Sequence, residues 1–228
     1  MLKLHFSHLY VNLMSTVAVI DYGMGNLHSI AKALQHADAT ADVQITANPE
    51  QILQADRVVF PGVGAMRDCM QALRQTGLAK TIKQAAQNKP FLGICLGMQA
   101  LLADSEENGL TTCLGLFDGH VLRFPELLQD SQGNRLKIPH MGWNQVCQSS
   151  HPLWHGIPQN SRFYFVHSYY ARPAQAESTF VVGTSEYPKV FACALAKNNI
   201  FAVQFHPEKS QQVGLQLLTN FLAWDGHY

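Results

Sequence analysis

The chain has 228 residues, of which 47% are hydrophobic and 14% are charged. This length suits one domain with a sizeable core, and this composition excludes an intrinsically disordered chain. Basic and acidic residues number 16 each, so the formal net charge is zero and no surface for nucleic acid is expected. No apolar run approaches the roughly 20 residues that span a bilayer, which predicts a soluble protein without a membrane segment.

The cysteines indicate a reducing compartment. They are odd in number and widely spaced, and no two of them form a C-x-x-C pair, which argues against a disulfide framework and against a zinc site. We therefore expect a cytoplasmic protein that uses neither a metal nor another cofactor. The cysteines are Cys69, Cys95, Cys113, Cys147 and Cys193.

The first thirteen residues, Met1 to Leu13, lack the long apolar core and the small-residue cleavage site of a signal peptide. A second methionine, Met14, immediately precedes the first predicted strand. We expect residues 1–13 to be a leader outside the core and residues 14–228 to form one domain.

The first half of this domain alternates short β-branched runs with helical patterns. Asn26 is a candidate N-cap, and Pro90 precedes an unbroken apolar run typical of a buried parallel strand. The predicted strands are Thr16 to Ile20, Val58 to Phe60 and Phe91 to Ile94, and the predicted helices are Asn26 to His36, one between Arg67 and Gln87, and Leu96 to Leu102. This order predicts an α/β fold with a doubly wound, mostly parallel sheet and flanking helices.

The chain after Asn108 is richer in strands and turns, because glycines and prolines divide it into short segments. We expect an additional antiparallel strand region in this half, followed by a last helix that Ser210 caps. The predicted strands are Phe163 to Val166, Phe180 to Gly183, Phe191 to Leu195 and Ile200 to Val203, and the apolar face of the helix is Val213, Leu217, Leu218 and Phe221.

The strongest local signal is a cysteine between two glycines, in Gly93-Ile94-Cys95-Leu96-Gly97. It falls where a predicted strand passes into a predicted helix, and a sharp turn at such a junction needs small neighbours. The turn would expose Cys95 above the sheet, and the positive end of the helix would favour a thiolate. The alternative is an ordinary buried cysteine, which suits the other four better.

A nucleophilic thiol needs a base, and the base needs a group that orients it. His206 and Glu208 follow the predicted strand Ile200 to Val203, at the sheet edge where active sites of parallel sheets gather. His206 would take the thiol proton and return it to the leaving group, while Glu208 would hold the imidazole. A solvated His-x-Glu pair is common, so this pair alone does not establish catalysis.

Acyl chemistry also needs donors for the developing oxyanion. Gly62, Val63 and Gly64 follow a predicted strand and emerge at the same edge, where glycines let backbone amides approach a ligand. The backbone N–H groups of Val63 and Leu96 are the candidate donors. A tight β-to-α turn would want the same glycines, so this alternative stays open.

Gly23-Met24-Gly25 also follows a predicted strand and could suggest a dinucleotide site. The third glycine position of that motif holds His28, however, and no acidic residue stands at the spacing expected for a ribose contact. The sequence therefore argues against nucleotide binding.

These motifs together resemble the class I, or triad, glutamine amidotransferases. Gly93 to Gln99 matches the nucleophile elbow of that family, Pro61 to Gly64 its oxyanion strand and Gln204 to Glu208 its His-x-Glu pair, in the same chain order. The resemblance implies a glutaminase in which Cys95 attacks the side-chain amide of glutamine, forms a thioester and releases ammonia. By the same match, Gln99 is expected to contact the substrate.

A narrower resemblance covers almost the whole chain from Val17 onward, to the glutaminase subunits of imidazole glycerol phosphate synthase in histidine biosynthesis. It implies a heterodimer with a (β/α)8-barrel cyclase that uses the ammonia to form imidazole glycerol phosphate and an aminoimidazole carboxamide ribotide. It also implies that Asn26, Tyr169 and Lys209 face this partner. The segments that carry it are Asp21 to Asn26, Lys137 to Asn144, Tyr164 to Tyr169 and Lys209-Ser210.

The departures from the family pattern are small. Met66 and Ala100 stand where family members often carry phenylalanine and leucine, and we interpret both as packing substitutions. Two other functions remain open at this point. One is a related glutaminase subunit that feeds ammonia to another synthase, for example in surface-sugar biosynthesis, and the other is a catalytically silent scaffold that regulates its partner.

Overall fold

A computed structural model describes residues 15–129 and 132–227. The prediction for residues 1–13 lies outside the described residues and stays a prediction. The helices are α1 (Leu27–Ala37), α2 (Pro49–Gln54), α3 (Met66–Gln75), α4 (Leu78–Asn88), α5 (Leu96–Ala100) and α6 (Gln211–Ala223), with short 3-10 turns at Pro152–Trp154, Gln175–Phe180 and Pro207–Lys209.

The strands of the described residues are β1 (Thr16–Ile20), β2 (Asp42–Thr46), β3 (Arg57–Gly62), β4 (Phe91–Cys95), β5 (Asp104–Ser105), β6 (Thr111–Thr112), β7 (Gly119–Arg123), β8 (His140–Gln145), β9 (Cys147–Gln148), β10 (Arg162–His167), β11 (Tyr169–Pro173), β12 (Val181–Glu186), β13 (Val190–Lys197) and β14 (Ile200–Val203).

A main sheet organises the fold. Its parallel part has the order β2-β1-β3-β4-β14. β14 then pairs antiparallel with β13, and the sheet continues through β11, β7, β5 and β6, while β12 pairs with β13 and β9. β8 and β10 form a separate antiparallel pair. The predicted α/β fold, with a mostly parallel sheet and antiparallel strands in the C-terminal half, is confirmed.

Alternate residues of β1 enter two different cores, because successive side chains of a strand point to opposite faces. Val17 and Val19 pack with apolar residues of α1 and α6. Ala18 and Ile20 pack with apolar residues of α2, α3 and α4. β4 is buried along its whole length. The parallel part of the sheet is therefore covered by helices on both faces, which leaves its strand ends as the place for a site.

The predicted helix between Arg67 and Gln87 is two helices. α3 ends at Gln75, and Gly77 adopts a left-handed conformation with a φ of 73° that interrupts the helical repeat. The sequence patterns also failed to predict α2 and several strands, namely β2, β5, β6, β7, β8, β9 and β11. β2 has no clean alternation of buried and exposed residues, and α2 has only six residues, capped by the side chain of Asn48.

Both predicted helix caps are wrong. Asn26 occupies the position before α1, but its side chain makes no capping hydrogen bond. Ser210 precedes α6, but its hydroxyl donates to the carbonyl oxygen of His206 at 2.6 Å. The Ser210 hydroxyl also accepts the backbone N–H of Tyr164 at 3.0 Å, so it bonds to β10 and not to the first turn of α6. Within the described ranges, no helix combines the length and the apolar character that crossing a membrane requires.

Candidate active site

The loops that follow four neighbouring parallel strands meet at one edge of the main sheet. β1, β3, β4 and β14 lie side by side and run in the same direction, so their carboxyl ends share that edge. Gly62 stands opposite Cys95 in the register of β3 and β4, and Val203 stands opposite Ile94 in that of β14 and β4. The topology thus brings three segments of distant sequence position to one place.

Cys95 ends β4 in a strained turn. Its φ is 55° and its ψ is −110°, a region that residues other than glycine rarely enter. Gly97 allows this turn to lie against β3, since a Cβ there would stand 2.0 Å from the carbonyl oxygen of Phe60. A Cβ at Gly93 would stand 3.1 Å from the Cβ of Ala202. The two glycines therefore let the elbow form, as the sequence pattern predicts.

His206 and Glu208 form a buried pair beside the elbow. His206 Nδ1 and Glu208 Oε1 are 2.8 Å apart, and the side chains are 3% and 1% exposed. Glu208 lies in the short turn Pro207–Lys209, which keeps the two side chains together. A contact between Nδ1 and a carboxylate fixes the orientation of the ring, so that Nε2 points away from Glu208 and is free for proton transfer.

The charge state of His206 depends on both neighbours. Burial alone would lower the pKa of His206, but hydrogen bonding and the negative charges of Cys95 and Glu208 outweigh burial and raise this pKa to about 10. Nε2 is buried, and in the described part of the chain it has no partner at regular hydrogen-bond geometry. The raised pKa keeps a proton on the ring, which makes His206 a candidate proton donor beside the Cys95 nucleophile.

A cavity of about 310 Å³ opens over the nucleophile. It brings together six of the predicted site residues: Val63, Gly64, Cys95, Leu96, Gln99 and His206. Gly62 does not line it. A Cβ at Gly62 would stand 2.6 Å from the hydroxyl oxygen of Tyr22 and 2.9 Å from the Cβ of Leu96, so Gly62 permits close packing behind the cavity wall.

Gln99 lies in this cavity wall with its amide nitrogen turned inward. Gln99 Nε2 donates to Gln204 Oε1 and to the carbonyl oxygen of Tyr169, both at 2.9 Å. Both amide hydrogens are therefore committed to the protein, so a substrate can be bound only through the amide oxygen.

The structure adds residues to which the sequence patterns gave no role. Glu107 lines the cavity, and its Oε2 accepts the backbone N–H of Met66 at 2.7 Å, at the start of α3. Gln204 Nε2 is 3.7 Å from Cys95 Sγ. Gln204 lies in the His-x-Glu segment and could have been singled out there. Glu107 follows another glutamate, so its local sequence resembles a solvated acidic pair.

The predicted partner residues differ in exposure. Asn26 and Lys209 are exposed, whereas Tyr169 is half-buried and lines the cavity. Lys209 Nζ lies 5.8 Å from the centre of the Tyr164 ring, and that ring makes an edge contact with Trp143 at 6.1 Å. With Met141, which is 61% exposed, Trp143, Tyr164 and Lys209 form a surface patch, here called the β8–β10 patch.

The fold and the buried nucleophile–base–carboxylate set define a class of enzyme. The family model "Glutamine amidotransferase class-I" matches residues 18–224. The chain belongs to the class-I glutamine amidotransferase family.

Relatives of high identity belong to one kind of subunit within this family. The imidazole glycerol phosphate synthase subunit HisH of Methylococcus capsulatus is 66% identical over 214 residues, which cover 93% of this chain and 98% of that protein. The protein of the same name from Pseudomonas putida is 58% identical over 219 residues, which cover 94% of this chain and 100% of the relative. This identity and coverage confirm the narrower resemblance, together with the predicted class of enzyme.

Solved structures agree on the fold. A putative GMP synthase component from Thermoplasma acidophilum superimposes with a TM-score of 0.66 at 21% identity, over 92% of this chain and 93% of that one. A structure described as a glutamine amidotransferase gives the same TM-score at 15% identity, over 91% of this chain and 99% of that one. At these identities the likeness concerns the fold alone.

Proposed function

We propose that the cavity hydrolyses glutamine to glutamate and ammonia through a thioester on Cys95, and that a cyclase subunit consumes the ammonia. The observation that carries the proposal is the strained Cys95 elbow beside the buried pair of His206 and Glu208, at 2.8 Å. The class-I amidotransferase match and the HisH relatives support the reaction type.

In the first half of the reaction, Cys95 Sγ attacks the side-chain carbonyl carbon of glutamine. His206 holds the thiol proton and donates it to the leaving nitrogen, so that ammonia departs and a γ-glutamyl thioester remains. Glu208 keeps the ring oriented and stabilises its positive charge, a role that the raised pKa of His206 supports. In the second half, His206 takes a proton from water, the water oxygen adds to the thioester, and glutamate leaves as the thiolate re-forms.

The oxyanion of each tetrahedral intermediate needs donors close to the nucleophile. The N–H of Leu96 is at the first turn of α5, where backbone N–H groups have no intrahelical partner. Val63 follows the last residue of β3 and lines the same cavity, with 40% of its surface exposed. We assign the two N–H groups to the oxyanion.

The rest of the cavity suits one free amino acid. Its volume of about 310 Å³ lies at the small end of ligand sites. The carboxylate of Glu107 can bind the α-ammonium group of glutamine, since Oε1 remains when Oε2 accepts the N–H of Met66. The Gln99 amide oxygen is available as a second acceptor.

The expected partner is a (β/α)8-barrel cyclase, and the proposed docking surface is the β8–β10 patch with the Asn26 loop. The HisH relatives are named as subunits of a synthase, which supports a second chain. Exposed methionine and tryptophan beside a lysine are typical of an interface centre with a charged rim. We propose a cytoplasmic location for the complex.

A direct test measures glutamate release from the chain alone and with the cyclase subunit of the same organism. Cys95→Ala should abolish glutamine-dependent synthesis by the complex, while synthesis from added ammonium salts survives, since only the glutaminase half has lost its nucleophile. Cys147→Ala, at an exposed cysteine away from the cavity, is the matched control and should keep both activities. Glutamate release unaffected by Cys95→Ala would rule out the mechanism, and an inactive wild-type complex would favour a silent scaffold.

A further inference from the structure

Gln204 directly follows β14, and its side chain contacts the Cys95 nucleophile. The residue is fully buried, and its Nε2 lies 3.7 Å from Cys95 Sγ. The two ends of an amide side chain are chemically different, so the orientation of Gln204 decides whether the sulfur meets a donor or an acceptor. Gln99 fixes that orientation, because Gln99 Nε2 can only donate and lies 2.9 Å from Gln204 Oε1. The amide hydrogens of Gln204 therefore face the sulfur.

The orientation of Gln99 is itself held by a backbone group. Gln99 Nε2 also donates to the carbonyl oxygen of Tyr169 at 2.9 Å, which excludes the flipped amide, whose oxygen would face that carbonyl. The same carbonyl oxygen lies 2.8 Å from His167 Nδ1. A carbonyl oxygen can only accept, so Nδ1 of His167 carries the proton.

Two buried histidines continue this chain of hydrogen bonds, and only one set of their tautomers satisfies it. Burial lowers the pKa of His167 to about 3 and that of His140 to about 4, so both rings are neutral. With its proton on Nδ1, His167 accepts at Nε2 from His140 Nδ1 at 2.9 Å. His140 Nε2 then accepts from Asn144 Nδ2 at 3.2 Å. Each contact from Asn144 to Cys95 thus pairs one donor with one acceptor.

We propose that Gln204 is a further catalytic residue, a hydrogen-bond donor to the Cys95 sulfur that the buried chain from Asn144 through Gln99 holds in one orientation. The assignment rests on the proposed glutaminase mechanism. Hydrogen bonds to an ionised acceptor are stronger than those to a neutral one, so a fixed N–H stabilises the thiolate relative to the thiol.

The second half of the reaction needs such a donor most. As water adds to the thioester, the carbon–sulfur bond breaks and its electron pair goes to Sγ. His206 is at that moment occupied with the proton that it takes from water. The Gln204 amide does not take up or release a proton near neutral pH, so its N–H faces the sulfur throughout the catalytic cycle.

The test follows the alkylation of Cys95 by iodoacetamide, without glutamine, from about pH 5 to about pH 9.5. The background is Cys147→Ser, which removes the exposed thiol, and the modified residue is identified by peptide mass spectrometry. Gln204→Met keeps the length of the side chain without a donor, and Gln204→Glu keeps the acceptor for Gln99 but faces the sulfur with a carboxylate. Both should slow alkylation near pH 7 by about tenfold and move the midpoint of the profile to higher pH.

Cys193→Ala is the matched control for packing. Its backbone carbonyl oxygen accepts the N–H of Gln204 at 2.9 Å and is kept, while a fully buried side chain in the neighbouring strand is truncated. This variant should retain the original profile. Wild-type profiles for both Gln204 variants would overturn the proposal, and a shifted profile for Cys193→Ala would assign the effect to packing. Glutamine hydrolysis by the wild type tests the underlying function separately.

A measurement on the unsubstituted chain covers the case in which the Gln204 variants do not fold. The side-chain amide protons of Gln204, followed by 1H–15N NMR, should shift across the pH range in which alkylation of Cys95 accelerates. Amide signals that stay constant while alkylation rises would show that the contact does not respond to the thiolate, and would overturn the proposal.

Discussion

The backbone of His206 is hydrogen-bonded to the backbone of Tyr164. The N–H of His206 donates to the carbonyl oxygen of Tyr164 at 2.9 Å. The hydroxyl of Ser210 joins the same two residues from the other side, since it donates to the His206 carbonyl oxygen at 2.6 Å and accepts the Tyr164 N–H at 3.0 Å. The ring of Tyr164 belongs to the β8–β10 patch. The proposed base and the proposed docking surface are therefore one hydrogen bond apart.

Replacing Ser210 with alanine should lower kcat by about tenfold with a smaller change in KM. The variant removes the two hydrogen bonds that the Ser210 hydroxyl makes with the backbones of His206 and Tyr164, and each such bond is worth about 1 kcal/mol. Steady-state kinetics with the cyclase bound, together with a thermal melt, would measure both effects. Ser185→Ala, at another buried serine, is the control, and an equal loss of kcat there would show that the effect is general destabilisation.

Changes in the catalytic pair should differ in size. His206→Asn should reduce turnover by about 100-fold to 10,000-fold, because it removes the group that transfers the proton. Glu208→Gln should cost less, since the amide still contacts Nδ1 but no longer stabilises the charged ring. Both are to be measured at saturating glutamine in the complex. Negligible losses in both variants would contradict the assigned roles.

The elbow should tolerate a methyl group at one of its glycines far better than at the other. Gly97→Ala should lower the free energy of unfolding by at least about 2 kcal/mol, because the new Cβ would stand 2.0 Å from the Phe60 carbonyl oxygen and the backbone must shift. Gly93→Ala meets a side-chain carbon at 3.1 Å and should cost less. Denaturant unfolding of the two variants would measure both losses of unfolding free energy. A larger loss for Gly93→Ala than for Gly97→Ala would contradict the prediction.

Stability should fall on mild acidification. Burial lowers the pKa of His140 and His151 to about 4 and of His167 to about 3, below the ordinary value of about 6.5 that applies to the unfolded chain. Between these values the unfolded state binds more protons than the folded state. The stability that the neutral rings contribute is therefore complete above about pH 6.5 and is lost as the pH falls, by up to about 1.4 kcal/mol per pH unit for each ring.

His151 offers a way to measure this effect away from the cavity. Its Nδ1 accepts the N–H of Leu153 at 3.1 Å, and asparagine can supply the same acceptor. His151→Asn should make the free energy of unfolding less dependent on pH between about pH 7 and pH 5. His155→Asn, at an exposed histidine nearby, should leave that dependence unchanged. Parallel pH curves for wild type and His151→Asn would refute the explanation.

Partner binding should activate the glutaminase. We expect slow glutamate release from the chain alone, faster release with the cyclase, and the fastest when the cyclase holds its nucleotide substrate. A two-state Val63 peptide, aimed at the oxyanion in one state only, would produce this order if the partner binds the active state more tightly. Equal rates under the three conditions would exclude such gating.

Gly64→Ala tests that peptide. Gly64 has a φ of 99°, and a Cβ there would meet the flexible end of Met24 at 2.7 Å. Alanine should reduce the stimulated rate more than the basal one, because it restricts the rotation that aims the amide. Gly133→Ala is the control, since Gly133 also has a positive φ but its Cβ would meet nothing within 4 Å. Gly62 is unsuitable, because its Cβ would clash with packed neighbours.

The sequence alone located the residues whose signals are local. The glycines around Cys95 and the spacing of His206 and Glu208 describe turns, and a turn is decided by a few neighbouring residues. Gln204 stood in the same segment, but its role depends on Gln99, which is 105 residues away. Periodicity and β-branched runs likewise found buried strands such as β1, β4 and β14, but they missed strands of mixed burial such as β2, β7 and β11.

The error at the start of α6 has the same origin. Asn26 and Ser210 have the right chemistry for caps, and local patterns assign them that role. In the folded chain the Ser210 hydroxyl joins His206 to Tyr164, and no local pattern encodes a contact between residues 46 apart. Glu107 became a candidate only when folding placed it beside the cavity.

The packing of Gly97 against the Phe60 carbonyl also makes one part of the cavity wall more rigid than the rest. The wall that carries Cys95 and Leu96 is fixed by main-chain contacts, so substitutions there cannot be absorbed by a change of rotamer. The cavity lining also includes Pro139, Val166 and Ser168, which belong to the antiparallel half of the chain. Val166 lies in β10, the strand that also carries Tyr164 of the β8–β10 patch, so the antiparallel half of the chain contributes both to the cavity lining and to the proposed docking surface.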